Sequence, residues 1–387
     1  VVKVHRIMGS LTAVTIFILQ LITASTASGS VDTPWHVNSG VGLRPHVLCL
    51  YVGGTIGMTK DETGEYVPTP GYLEEVVASL PYFSADDVPL FTIREYDVLL
   101  DSSNMRPEDW LLIARDIADA YDNYTGFVVI HGTDTLSYTA SALSFLLPNL
   151  SKPVILTGSQ IPLAETYNDG VFNLLGSILL AGWYDIPEVG LFFAGKLYRG
   201  NRAQKYSSWQ LNAFDSGAYP PLAIMGVSVF VNTEKIRRAD SDQKPTVQDA
   251  VSSAVGIVHI YPGVSGNDLL AAAVGKKGLV LLAFGSGNGP SSDPEFIAAL
   301  ETLHARGLVI VDATQTFWGM VDLGLYETGG AMRRASVISA YTMTPEAAYT
   351  KLSILLGQDL DQSGVETLFQ SNLAGELDIP TIQSRVM

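Results

Sequence analysis

The sequence has one cysteine, Cys49, in 387 residues. An internal disulfide is therefore excluded, and so is a thiolate metal cluster. Histidine is nearly as scarce. His5, His36, His46, His131, His259 and His304 include no pair at i, i+4, which removes the helical two-histidine motif of zinc hydrolases. Positive charge is also in deficit: 23 Lys and Arg face 39 Asp and Glu, a formal net charge of -16. Such a surface repels phosphate backbones and anionic lipids, so nucleic acid is not expected as a partner. No G-x-S-x-G nucleophile turn occurs, and Gly285-Ser286-Gly287-Asn288-Gly289 places its third glycine one position too early for a dinucleotide fingerprint. That run is read as a tight turn, and neither a metal nor a cofactor is expected.

What is present is apolar and alternating. Hydrophobic residues make up 47% of the chain at a mean hydropathy of +0.23, enough for the cores of two ordinary domains. The central stretch is Phe127 to Leu147. Phe127, Val128, Val129 and Ile130 read as a buried strand, and Leu136, Ala140, Leu143 and Leu147 recur at helical spacing up to Pro148. Between them lie His131-Gly132-Thr133-Asp134-Thr135. Thr133 and Asp134 could be plain helix caps, but strand-to-helix turns also form the ligand-binding edge of open α/β sheets. Val47 to Val52 empties in the same manner into Gly53-Gly54-Thr55-Ile56-Gly57, so two Thr hydroxyls emerge from two strand ends. If the protein is an enzyme, Thr is the nucleophile to examine.

Lys3 and Arg6, the apolar stretch Leu11 to Thr23 and the small residues Ser25, Thr26 and Ala27 have the layout of a secretory signal peptide over residues 1–27. Export is the expectation; a cytoplasmic location or an uncleaved membrane anchor are the alternatives. Asp61 to Tyr66 reads as a mobile loop with one exposed aromatic. Strands at Phe91 to Leu100, Pro153 to Leu156 and Glu188 to Ala194 alternate with helices at Pro107 to Tyr121 and Asp169 to Ala181, which predicts a mostly parallel sheet with crossover helices. The charged segment around Glu234, Lys235, Arg237, Arg238 and Asp240 reads as a linker. The expected organisation is an N-terminal α/β domain over 28–231, a linker over 232–254 and a smaller C-terminal α/β domain over 255–387.

With both glycine-threonine turns in view, the chain resembles the bacterial-type L-asparaginases, closest to the type I branch. The likeness extends through Asp101-Ser102-Ser103-Asn104-Met105, Gly158-Ser159-Gln160-Ile161-Pro162 and Tyr198-Arg199-Gly200-Asn201-Arg202-Ala203-Gln204-Lys205. The resemblance implies hydrolysis of L-asparagine to L-aspartate and ammonia through an acyl-enzyme, with weaker action on glutamine. It implies Thr55 as nucleophile, Tyr66 as the loop tyrosine that helps activate it, and Thr133, Asp134 and Lys205 as the second catalytic group. Ser102 and Ser103, with Asp134, match substrate-holding positions. Ser103 departs from the Gln of the periplasmic branch, and the leader departs from the cytosolic habit of type I. Thr316 stands where some type I enzymes carry the Cys of a regulatory site, so allosteric activation is not carried over. A homo-oligomer, dimer or tetramer, is implied, with each site between the large domain of one subunit and the small domain of its neighbour.

Three rival readings remain at the level of sequence. They are a catalytically silent amino-acid-binding homologue, an amidase subunit supplying ammonia to a tRNA amidotransferase, and a dehydrogenase. The first is opposed by the joint presence of Thr55, Thr133, Asp134 and Lys205. The second usually carries an additional N-terminal domain, and the third lacks its complete glycine signature.

Overall fold

The computed structural model describes residues 44–217, 219–239 and 244–379. The signal peptide expected over 1–27 lies outside them, as do residues 240–243 of the expected linker.

The chain enters the fold as β1 (His46–Gly53), buried from Val47 to Gly53. A strand covered on both faces reads as an unbroken apolar run rather than an alternation. There follow the hairpin β2 (Met58–Lys60) and β3 (Tyr66–Pro68), α1 (Tyr72–Ser79), β4 (Leu90–Leu100), α2 (Pro107–Ala120) and β5 (Gly126–Ile130). Next come α3 (Leu136–Leu146), β6 (Val154–Thr157), α4 (Gly170–Trp183), β7 (Val189–Phe193) and β8 (Lys196–Arg199). The short pair β9 (Gln204–Lys205) and β10 (Phe214–Asp215) precedes β11 (Ala223–Met225) and β12 (Val229–Val231).

Eight of these strands form one sheet in the order β12-β11-β8-β7-β6-β5-β1-β4. Pairing is parallel from β4 through β1, β5 and β6 to β7, and antiparallel from β7 through β8 and β11 to β12. Helices cover both faces. In α2, Trp110, Ile113, Ala114 and Ile117 are buried at the i, i+3, i+4, i+7 spacing of one helical stripe. Pro107 opens that helix, and the Asp109 carboxylate accepts the Arg106 N–H at 2.7 Å, satisfying a donor left orphaned by the first turn.

The second unit comprises β13 (Val255–His259), α5 (Gly266–Ala272), β14 (Gly278–Ala283), α6 (Pro294–Ala305), β15 (Val309–Thr314), α7 (Glu327–Arg334), β16 (Ile338–Ser339), α8 (Pro345–Gly357) and α9 (Gln362–Phe369). Its four strands run in parallel in sequence order. The two units are joined by buried polar contacts. Arg202 Nε donates to the Gly375 carbonyl at 2.7 Å and Arg202 NH1 to Thr342 Oγ1 at 2.9 Å, and Arg199 NH1 donates to the Gly375 carbonyl at 3.3 Å.

The loop expected at Asp61 to Tyr66 is the connection of a hairpin over Asp61 to Glu65, and its exposed Tyr66 opens the return strand opposite Lys60. Helix α7 is absent from the periodic reading because Gly329 and Gly330 interrupt its pattern. Gly329 packs closely there, a methyl group on it standing 3.2 Å from the Leu323 Cα. Among the described residues no helix is long and apolar enough to cross a membrane.

Candidate active site

The site is assembled by glycines at the carboxyl ends of the parallel strands. Gly54 has φ 96, and a methyl group on it would lie 2.3 Å from the amide nitrogen of Gly132. Only a residue without a side chain lets the exit of β1 rest on the exit of β5. Gly132 in turn lies against Ser102, whose Oγ would be 2.5 Å from a methyl group there. The segments that carry Thr55 and Thr133 are therefore in contact at Gly54 and Gly132, with Ser102 just past the end of β4. The Thr135 hydroxyl donates to the Ser102 carbonyl at 2.8 Å, a further tie between the β4 and β5 exits.

Thr133 and Asp134 do not cap α3. The N-cap position is Thr135, and no side chain accepts a capping bond there. The Thr133 hydroxyl, 6% exposed, instead accepts a hydrogen bond from Lys205 Nζ at 2.8 Å and donates to Gln160 Oε1 at 3.3 Å. Lys205 Nζ also donates to Asp134 Oδ1 at 2.7 Å, and Ser103 Oγ approaches Asp134 Oδ2 at 3.5 Å, the outer limit of such a bond. Lys205 is held in register by its pairing with Phe214. An ammonium, a hydroxyl with two partners and a largely exposed carboxylate thus share one small polar locus.

Thr55, half-buried, opens a single 3₁₀ turn over Thr55–Gly57. Tyr66 comes to the same side of the molecule on the hairpin, but its phenol donates to Glu165 Oε1 at 2.5 Å. Of the predicted site residues, hydrogen bonds unite Thr133, Asp134, Lys205 and Ser103. Backbone contact adds Thr55 and Ser102, and Tyr66 is placed through Glu165. Sequence reasoning assigned no role to Gln160, Glu165 or Lys60. Gln160 sat within a motif already singled out, whereas Glu165 carries no local signal.

His131 is not part of the chemistry. It is fully buried, with Nδ1 2.7 Å from the Gly132 carbonyl and Nε2 2.9 Å from Thr139 Oγ1. Burial pushes its imidazole down to about 4, outweighing the bond to Gly132. Burial likewise pushes the Cys49 thiol up, so the one cysteine is no thiolate nucleophile. In the motif from Tyr198 to Lys205, Arg199, Asn201 and Arg202 serve the interface with the second unit, and Lys205 alone reaches the polar locus. Gly285 to Gly289 is a turn in which the Gly287 and Asn288 amides both donate to the Phe284 carbonyl. No helix starts until Pro294. Among the described residues no group of three or more His, Cys, Asp or Glu could hold a metal. A cavity of about 350 Å³ between the two units, bordered by Arg199, Arg237, Lys351 and Leu355, shares no lining residue with the polar locus.

The chain matches two family models, Asparaginase, N-terminal over residues 46–237 and Glutaminase/Asparaginase C-terminal domain over residues 254–369. It is 46% identical to L-asparaginase 1 of Escherichia coli K12 over 338 residues, covering 86% of this chain and 98% of that protein. It is 40% identical to a human 60 kDa lysophospholipase over 368 residues, covering 89% of this chain and 64% of that one. Among solved structures, L-asparaginase I from Vibrio cholerae superposes with a TM-score of 0.78 at 43% identity, covering 87% of this chain and all of its own.

Proposed function

The chain belongs to the asparaginase family, and from that premise we propose that it hydrolyses the side-chain amide of L-asparagine to L-aspartate and ammonia, with glutamine a weaker substrate. The observation that carries the reading is the contact of Lys205 with both Thr133 and Asp134 at 2.8 and 2.7 Å. The joint presence of Thr55, Thr133, Asp134 and Lys205 disfavours the catalytically silent alternative.

In the proposed mechanism Thr55 Oγ1 bonds to the amide carbon and gives up its proton. Tyr66 assists that removal. Thr133 and Lys205 carry protons toward the departing nitrogen, which leaves as ammonia, and water then attacks the ester on Thr55 to release aspartate. A Thr hydroxyl is a poor nucleophile without such help, a contribution of about 10²- to 10⁴-fold. Backbone N–H groups at the glycine turns are candidates for the oxyanion site, each donor worth roughly 10²- to 10³-fold in rate. Ser102 and Ser103 bind the α-carboxylate, and Asp134, 62% exposed in its side chain, receives the α-ammonium group. Ammonia release from asparagine and glutamine, measured on the parent, Thr55→Ala and Thr133→Ala, tests this reading. Activity that survives both substitutions would reject it.

Tyr206, Trp209 and Trp318 are exposed near the site, and Tyr206 meets Phe317 with ring centroids 6.0 Å apart. Such an apolar rim beside an open polar locus supports a homo-oligomer whose neighbour covers the site. A monomer by light scattering at assay concentration would count against it. Export with cleavage near Ala27 rests on the leader sequence, and N-terminal sequencing of secreted material decides it.

A further inference from the structure

Tyr66 does not stand free over the site. Its hydroxyl donates to Glu165 Oε1 at 2.5 Å, and the same oxygen accepts from Lys60 Nζ at 2.8 Å. The Lys60 ammonium also lies 5.0 Å from the Tyr66 ring centroid. Lys60 and Tyr66 face each other across the hairpin, so both sides of its mouth converge on one carboxylate 99 residues beyond the phenol.

Glu165 is itself anchored to the nucleophile turn. The Leu163 N–H donates to the Ile56 carbonyl at 3.0 Å, the Glu165 N–H donates to Pro162 at 3.0 Å, and Asn168 Nδ2 donates to the Glu165 carbonyl at 2.8 Å. The carboxylate thus ties the hairpin to the segment that carries Thr55. Lys60, and after it the Tyr66 hydroxyl, holds Glu165 below the usual carboxylate range, which keeps it ionised and a strong acceptor. As a surface ion pair Lys60–Glu165 contributes little to stability, its side chains being 53% and 38% exposed. Its consequence is directional. A phenol whose proton is committed to Glu165 offers only lone pairs to its other neighbours, so toward Thr55 it can act only as an acceptor.

We propose that Glu165, steadied by Lys60, is a positioning residue that commits the Tyr66 proton and so orients the phenol to accept a hydrogen bond from the Thr55 hydroxyl, aiming the nucleophile's oxygen at the amide. The proposal rests on the role given above to Tyr66. The experiment is a double-mutant cycle on the full chain, with kcat and KM for asparagine measured for Glu165→Ala, Tyr66→Phe, the double variant and Glu165→Gln. Glu165→Ala is expected to lower kcat about 10- to 100-fold at nearly unchanged KM, the scale of a small misplacement of a reacting group. The double variant should be no slower than Tyr66→Phe alone, because Glu165 acts only through the phenol. Glu165→Gln, which keeps an acceptor oxygen, should recover most of the lost kcat. Parent kcat in Glu165→Ala, multiplicative losses in the double variant, or a Gln variant as slow as the Ala variant each overturns the proposal. Parent kcat in Tyr66→Phe would instead remove the role of the tyrosine itself, and this inference with it.

Discussion

The Lys205 ammonium stands 2.8 Å from the Thr133 hydroxyl, although the two residues are 72 positions apart. The strand that carries Lys205 lies outside the main sheet, and its pairing with β10 aims the side chain back at the exit of β5. If this contact drives proton transfer, Lys205→Met should lower kcat by about 10²- to 10⁴-fold. Its KM for asparagine should move far less. Steady-state ammonia release checks this, and a loss confined to KM would make Lys205 a binding group only.

Asp134 is expected to separate binding from chemistry. Asp134→Asn should weaken asparagine, whose α-ammonium it is proposed to meet, more than an analogue lacking the α-amine. The difference should be about 1.5–3 kcal/mol in kcat/KM, the usual scale of a hydrogen bond to a charged group. Equal losses for both substrates would place the α-amine elsewhere.

Gly132→Ala tests the glycine contact. Its methyl group would lie 2.5 Å from Ser102 Oγ and 3.2 Å from the Gly54 Cα, so Ser102 must turn away and the β1 and β5 exits must part. The expected result is a rise in KM together with a fall in kcat, with a stability loss of about 1–3 kcal/mol. Unchanged kinetics would mean that the strand exits tolerate separation.

His131 makes stability depend on acid. Its folded-state value is depressed from 6.5 to about 4 by burial, so the unfolded chain takes up the proton first as pH falls. Stability is fully present above about 6.5 and drains away toward about 4. His131→Gln should remove roughly 3 kcal/mol of that dependence. Urea midpoints at several pH values across the window check this, and an identical slope in the variant would sink it.

Asp312 predicts the opposite slope. It is fully buried with neither carboxylate oxygen hydrogen-bonded, and burial pushes it well above its ordinary 3.8. The native state therefore keeps a proton that the unfolded chain loses, and stability falls as pH rises above about 3.8 toward the folded value. Asp312→Asn should be stabilised relative to the parent increasingly across that range. Parallel curves for parent and variant would refute it.

Much of the sheet was legible because its central strands are covered on both faces and so read as apolar runs, as β1 and β5 do. The two threonine turns stood out because glycines follow those runs directly. Other features left no such trace. Helix α7 has two adjacent glycines, Gly329 and Gly330, inside its buried face, so no apolar stripe marks it in the sequence. The hairpin bearing Tyr66 is only three residues long on each side, too short for an alternation to register. Glu165 lies in an irregular segment whose only claim is the partner it meets in space.

Residue order alone settled the class of fold and the edge of the sheet where polar groups gather, because hydrophobic periodicity and glycine placement are local properties of the chain, and its ordered motifs carried the family resemblance. Tertiary structure decided which hydroxyl Lys205 reaches, that Arg199, Asn201 and Arg202 reach the second unit, and that the Tyr66 hydroxyl donates to Glu165. Those are relationships between distant residues. Hydrogen bonds act only at contact, so they come into existence when packing brings separate strand ends together.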